Sequence, residues 1–328
     1  MMTEAFKNKK ILITGGLGFI GSNIALKCID LGAEVTIYDC LDPRSGGNMH
    51  NIDSFKSKIN IVLNDLRNFE GICEAVLNKD YIFNCAAFTS HPNAMKEPLI
   101  DIDVNCKGTI NLLESIRRFN PETKLVHVGT STQIGKMNKE IVDELHSEFP
   151  MDIYSANKSV SEKYVLIYGS AYNLRTTVVR LANNFGPRSC IKNSDFGFIN
   201  YFIGMALQSK KIPIYGNGLQ LRNFSYIDDS VNALLLAAIN DNANGNSMFA
   251  VSDNQYTIKD ITIMITEIIG GDIIFVPWPQ ERKSIEVGDA VISNNKIKKI
   301  LDWSPLYNLE DSLLLTKIFY VDKLKYYL

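Results

Sequence analysis

Three side chains in the middle of the sequence could move a proton: Thr130, Tyr154 and Lys158. Tyr154 and Lys158 stand at i and i+4, so a helix through them would set a phenol and an ammonium on one face. A free tyrosine ionises near pH ~10, too high for a base at neutral pH. A neighbouring cation stabilises the phenolate and lowers that value. Such a phenolate could take the proton from a hydroxyl group while the same carbon loses a hydride. Thr130 follows the apolar run Lys124 to Gly129, and its hydroxyl could steer the reacting oxygen beside the phenol. Chemistry of this kind needs a hydride acceptor, placed by the fold against these side chains.

The N-terminal stretch offers a place for one. Ile11 to Ile13 is an apolar β-type run that stops at glycines 15, 16, 18 and 21. An amphipathic run, Phe19 to Leu31, follows and ends at Gly32, which reads strand, tight turn, helix. Gly15, Gly18 and Gly21 let the turn bend and let backbone approach a ligand closely. The helix N-terminus behind them favours a phosphate, so the expected occupant is a dinucleotide pyrophosphate. The second strand, Glu34 to Asp39, ends on an acid where a βαβ unit of this type binds the adenosine ribose. A carboxylate there repels a 2′-phosphate and selects NAD over NADP.

Further strands are expected at Ile59–Leu63, Tyr81–Cys85, Lys124–Gly129 and Arg175–Leu181, and long helices at 101–119 and 152–172. Strands alternating with helices imply a doubly wound parallel α/β sheet, with ligands outside the carboxyl ends of the strands. Gly15, Asp39, Asp65, Ala86 and Thr130 all fall at such ends, and small Ala86 and Ala87 would let a cofactor pass. After Asn183 the pattern loosens. Helices are expected at 196–209, 228–239, 257–269 and 309–328, the last capped by Asn308, with Gln280–Lys283 a polar loop. The expected division is a Rossmann-type domain over 1–182, joined by a returning segment near 226–255, and a smaller mixed α/β substrate domain over 183–328.

Composition narrows the partners. The 328 residues carry a formal net charge of −2, with 46% hydrophobic and 21% charged, an ordinary globular balance. It gives no electrostatic ground for nucleic acid or an anionic membrane surface. The six cysteines form no Cys-x-x-Cys pair and read as free thiols, with no metal site expected. No apolar run is long enough to cross a bilayer, and no signal segment precedes the first strand, so a cytoplasmic protein is expected.

Taken in order, the motifs resemble one family. They are the Gly-Gly-Leu-Gly-Phe-Ile-Gly turn at 15–21, Asp39, Ala86-Ala87, Thr130 before Gly135, and Tyr154-x-x-x-Lys158. Asn183-Asn184-x-Gly186-Pro187 and Arg222-Asn-Phe-x-Tyr226-x-Asp228-Asp229 complete the series. Over nearly the whole chain it resembles the extended short-chain dehydrogenase/reductases, the NAD-dependent nucleotide-sugar epimerases and dehydratases. The resemblance implies that Gly15, Gly18, Phe19, Ile20 and Gly21 hold the NAD pyrophosphate and Asp39 the ribose. Asp65 and Leu66 would lie along the adenine, and Ala86, Ala87 and Thr89 along the cofactor's path. Thr130, Tyr154 and Lys158 would be the catalytic set, with Tyr154 and Lys158 also at the nicotinamide end. Thr130 and Asn183 would contact the sugar, Arg222 the diphosphate, and Arg282 or Lys283 would add a second basic contact. A homodimer through the helices at 101–119 and 152–172 is likewise implied.

Departures from the family pattern bear on the reaction. The family's 4,6-dehydratases carry Thr-Asp-Glu where this chain has Thr130-Ser131-Thr132, and hydroxyls cannot replace that acid pair at neutral pH. Oxidation at the sugar C4 is therefore expected, as a 4-epimerase or, if the keto sugar leaves, a 4-dehydrogenase, ahead of dehydration. His91, in the unusual loop Thr89 to Ala94, reads first as an exposed loop histidine and second as a contact to the sugar.

Overall fold

The computed structural model describes residues 2–328. After a short helix α1 (Met2–Phe6) come six strands of one sheet: β1 (Lys10–Thr14), β2 (Glu34–Asp39), β3 (Ile59–Leu63), β4 (Tyr81–Asn84), β5 (Lys124–Thr130) and β6 (Arg175–Leu181). Ser247–Ala250 returns as the seventh, and the order is Ser247–Ala250, β6, β5, β4, β1, β2, β3. Every neighbour is parallel. Both faces of the central strands are buried, which is why those strands read as apolar runs. Ile11, Ile13, Val126 and Val179 turn to one core, and the intervening Leu12, Leu125 and Val178 to the other.

Helices follow the strands and continue beyond the sheet. These are α2 (Phe19–Asp30), α3 (Phe69–Ala75), α4 (His91–Lys96), α5 (Pro98–Asp101), α6 (Gly108–Phe119), α7 (Ile153–Tyr172), α8 (Phe198–Leu207) and α9 (Ile227–Ile239). The first core takes Ile24 of α2 and Leu234 of α9, and the second takes Ile72, Leu112 and Val165 from α3, α6 and α7. Strand order reverses between β1 and β4, so the crevice at their carboxyl ends is the ligand position for a sheet of this kind.

Several elements differ from expectation. The single helix expected over 101–119 is α5, a wider π-type segment Ile102–Lys107, and α6. Within it the buried Asn105 side chain bonds the Phe88 peptide at both ends, 3.0 Å to its N–H and 3.1 Å to its carbonyl. The last helix stops at Val321 rather than continuing to 328. Tyr327 instead turns inward, its hydroxyl 2.8 Å from Asn51 Oδ1 and its ring against Tyr320. Gln280–Lys283 is one helical turn, not a loop. Two unforeseen pairings stiffen the later half: Lys211–Tyr215 with Asp272–Val276, and Leu221–Asn223 with Gln255–Thr257.

Candidate active site

The glycine turn is tightly built. Gly15 has φ +65°, and a Cβ there would lie 2.7 Å from the Ala86 nitrogen. A Cβ on Gly21 would meet the Gly15 carbonyl oxygen at 2.4 Å, so turn and helix close on each other only through glycine. On Gly18, at the N-cap of α2, the nearest atom would be that same oxygen at 3.2 Å, which leaves its outer side open. Asp39 braces the turn from β2, accepting the Leu17 N–H at 2.9 Å and the Leu41 N–H at 2.8 Å. Burial raises its pKa against those two bonds. The open cradle at a helix N-terminus, with one acid beside it, fits a dinucleotide. Beyond β3, Asp65 is gripped by Arg67 at 2.9 and 2.6 Å, which keeps its carboxyl below the usual range. Leu66 beside it is buried. Ala86, Ala87 and Thr89 follow β4, half-buried, along the same edge.

Tyr154 and Lys158 do share one face of α7, and both are buried. Burial, then the charges of Asp101 and Asp152, push the Tyr154 phenol up, with a hydrogen bond to the Thr130 hydroxyl opposing them. The chain itself therefore does not lower the phenol as its neighbour Lys158 was expected to. The Lys158 ammonium is turned to β5, 2.7 Å from the Val128 carbonyl and 3.1 Å from His127 Nε2. Burial lowers its pKa to about 8. His127 is buried and held far below its ordinary value, first by burial and then by Lys158. Behind it a chain of contacts runs to Asn84 (2.9 Å), from Asn84 to Thr14 (2.6 Å), and from Thr14 to the Ala86 N–H (3.3 Å). The glycine-turn strand and the lysine are thus tied through three adjacent strands.

An open cleft lies above these groups. Ser131, Thr132, Asp152 and Ser155, neighbours of Thr130 and Tyr154, form one wall, and Asn183, Arg222 and Arg282 form others. Asn183 donates to the Asn223 carbonyl at 2.9 Å from a backbone with φ +41°. Arg222 pairs with Glu286 at 2.7 Å, and Arg282 with Asp195 at 2.7 Å. Lys283, the alternative to Arg282, is exposed and does not line the cleft. Sequence reasoning missed Glu286 and Asp195, and it ranked an exposed loop position for His91 ahead of a contact to the sugar. His91 instead lines the cleft and pairs with Asp152 at 2.8 Å. The available signal was Asp152 itself, an N-cap two residues before Tyr154.

A parallel sheet with a glycine-rich first turn and a Tyr-x-x-x-Lys helix facing a separate cleft defines a Rossmann-type, dinucleotide-dependent enzyme. The family model for the NAD dependent epimerase/dehydratase family matches residues 11–251, and the chain belongs to that family. It is 34% identical over 230 residues to a putative UDP-glucose 4-epimerase of Methanocaldococcus jannaschii, covering 69% of this chain and 72% of that one. It is 28% identical over 310 residues to UDP-glucuronic acid decarboxylase 1 of Xenopus tropicalis, covering 93% and 70%. The solved UDP-glucose 4-epimerase of Thermotoga maritima superposes with a TM-score of 0.87 at 26% identity, over 96% of this chain and 99% of that one. The chain is thus an NAD-dependent enzyme of the nucleotide-sugar epimerase, dehydratase and decarboxylase family.

Proposed function

We propose that the chain oxidises the C4 hydroxyl of a nucleotide-diphosphate sugar and restores it inverted, as a nucleotide-sugar 4-epimerase. The observation that carries this reading is the wall beside Thr130, where the next two side chains are the hydroxyls of Ser131 and Thr132. Neither is an acid or base at neutral pH, so loss of water has no acid pair at that position. The putative UDP-glucose 4-epimerase among the relatives supports the same reading.

In this reading Tyr154 takes the C4 hydroxyl proton and Thr130 steers that oxygen. Gly15, Gly18, Phe19, Ile20 and Gly21 hold the cofactor pyrophosphate, Asp39 its adenosine ribose, and Lys158 the other ribose. Asp65 and Leu66 flank the adenine, and Ala86, Ala87 and Thr89 line the path between. NAD, when bound, supplies the hydride acceptor and a positive charge that lowers the phenol. Asn183 touches the sugar, while Arg222 and Arg282 exchange Glu286 and Asp195 for the diphosphate. Residues 1–182 with 226–255 serve the cofactor and the remainder of 183–328 the substrate. The chain acts as a homodimer through α6 and α7.

Incubation with UDP-, dTDP-, GDP- and CDP-sugars, followed by mass and NMR analysis, tests the reading. The expected product has unchanged mass and inverted C4. Loss of two hydrogens identifies a 4-dehydrogenase and loss of water a dehydratase, and either overturns the epimerase. Tyr154→Phe is expected to slow turnover by about 10²- to 10⁴-fold.

A further inference from the structure

His91 occupies a position that the proposed C4 chemistry leaves unused. It opens α4, behind the Ser90 cap, and reaches the first turn of α7. Its Nδ1 lies 2.8 Å from Asp152 Oδ2, and its ring meets the Tyr154 ring edge-on, with centroids 4.8 Å apart. Asp152 is itself fixed, accepting the Ser155 N–H and the Ser155 hydroxyl, each at 2.9 Å. Its side chain is 6% exposed and that of His91 28%, so the carboxylate is sealed while the imidazole faces the cleft. A carboxylate on Nδ1 fixes the tautomer and steadies the imidazolium, which leaves Nε2 to exchange a proton with a ligand. The wall that lacks a carboxylate at 131 and 132 thus carries a histidine–aspartate pair against the phenol.

We infer that His91, oriented by Asp152, is the carbon base of this cleft, acting on the sugar carbon next to the 4-keto carbon. The inference rests on the C4 oxidation proposed above, which makes that C–H acidic. Nε2 takes the proton, and the C–H electron pair becomes a double bond to C4. The carbonyl pair moves onto oxygen as an enolate, which the Thr130 and Tyr154 hydroxyls hold. Asp152 carries the counter-charge of the imidazolium. Return of a proton from Nε2 to the carbon restores the keto sugar, so no outside oxidant or reductant is consumed. Because the imidazole is part-exposed, its proton exchanges with water between these steps.

The test is turnover of UDP-glucose, UDP-N-acetylglucosamine, dTDP-glucose, GDP-mannose and CDP-glucose by the full chain with NAD in deuterated water. NMR reads deuterium at C3 or C5, and C4 oxidation is counted as the C4-inverted product together with any trapped keto sugar. The expected result is carbon-bound deuterium in the sugar that is oxidised. In His91→Gln the ratio of carbon exchange to C4 oxidation should fall on the order of a hundredfold. Asp152→Asn keeps a good helix cap and should lower the same ratio by about tenfold. C4 inversion or keto sugar without carbon deuterium, or exchange undiminished in both variants, overturns the assignment to His91 alone. Absence of both C4 inversion and keto sugar with every substrate overturns the C4 reading and this inference with it.

Discussion

At the scale of single residues, the site is governed by which charges the fold lets a side chain keep. Lys158 is buried, and burial lowers its pKa to about 8, while the unfolded chain holds its ammonium to about pH 10.4. Between these values the unfolded state binds the proton and the folded state does not, so stability rises with pH. The contribution is complete above the unfolded pKa and is lost as pH falls through the folded one. Lys158→Met should therefore lack a rise of about 2 kcal/mol in unfolding free energy between pH ~8 and pH ~10, read by urea titration against the parent. Identical slopes for the two proteins would show that Lys158 is not charged differently in the two states. The residues of the Tyr-x-x-x-Lys pair were legible because their spacing is local. His91 was not, because its partner Asp152 lies far away in sequence, on another element. The carboxylates on Arg222 and Arg282 were hidden for the same reason.

At the scale of elements, backbone closeness decides more than side-chain chemistry. The strands were legible because burial on both faces leaves an apolar run, and the helix caps because a cap acts within three residues. Asn308 accepts the Asp311 N–H at 2.8 Å, as its position suggested. The break in the helix expected over 101–119 was not legible, since it accompanies a tertiary bond from Asn105 to Phe88. The sharpest element-scale constraint is at the glycine turn. Gly21→Ala puts a methyl 2.4 Å from the Gly15 oxygen, and that contact is backbone against backbone. The substitution should cost about 1–3 kcal/mol of stability and weaken NAD binding, measured by denaturation and by titration calorimetry. Wild-type affinity in that variant would mean that the turn tolerates opening.

At the scale of the whole molecule, the described residues contain no helix long and apolar enough to cross a membrane. The helices proposed as a dimer face keep large apolar side chains in the open: Phe119 at 50%, Ile167 at 56% and Tyr172 at 49% exposed. Contiguous apolar surface on a folded chain marks contact with a partner. Sedimentation should give twice the chain mass, and Ile167→Lys should shift the equilibrium toward the monomer. A parent protein that sediments as a monomer at micromolar concentration would exclude the dimer.

The line of contacts from Lys158 through His127 and Asn84 to Thr14 has a consequence for how such enzymes diversify. Lysine and glycine turn are set by the register of three central strands, whereas Ser131, Thr132 and His91 stand on loops and on a helix tip at the rim. A substitution at the rim alters the acids and bases presented to a sugar without disturbing the groups beneath. Inheritance can therefore hold the redox floor constant while selection exchanges the wall above it. An epimerase and a decarboxylase can then descend from one frame.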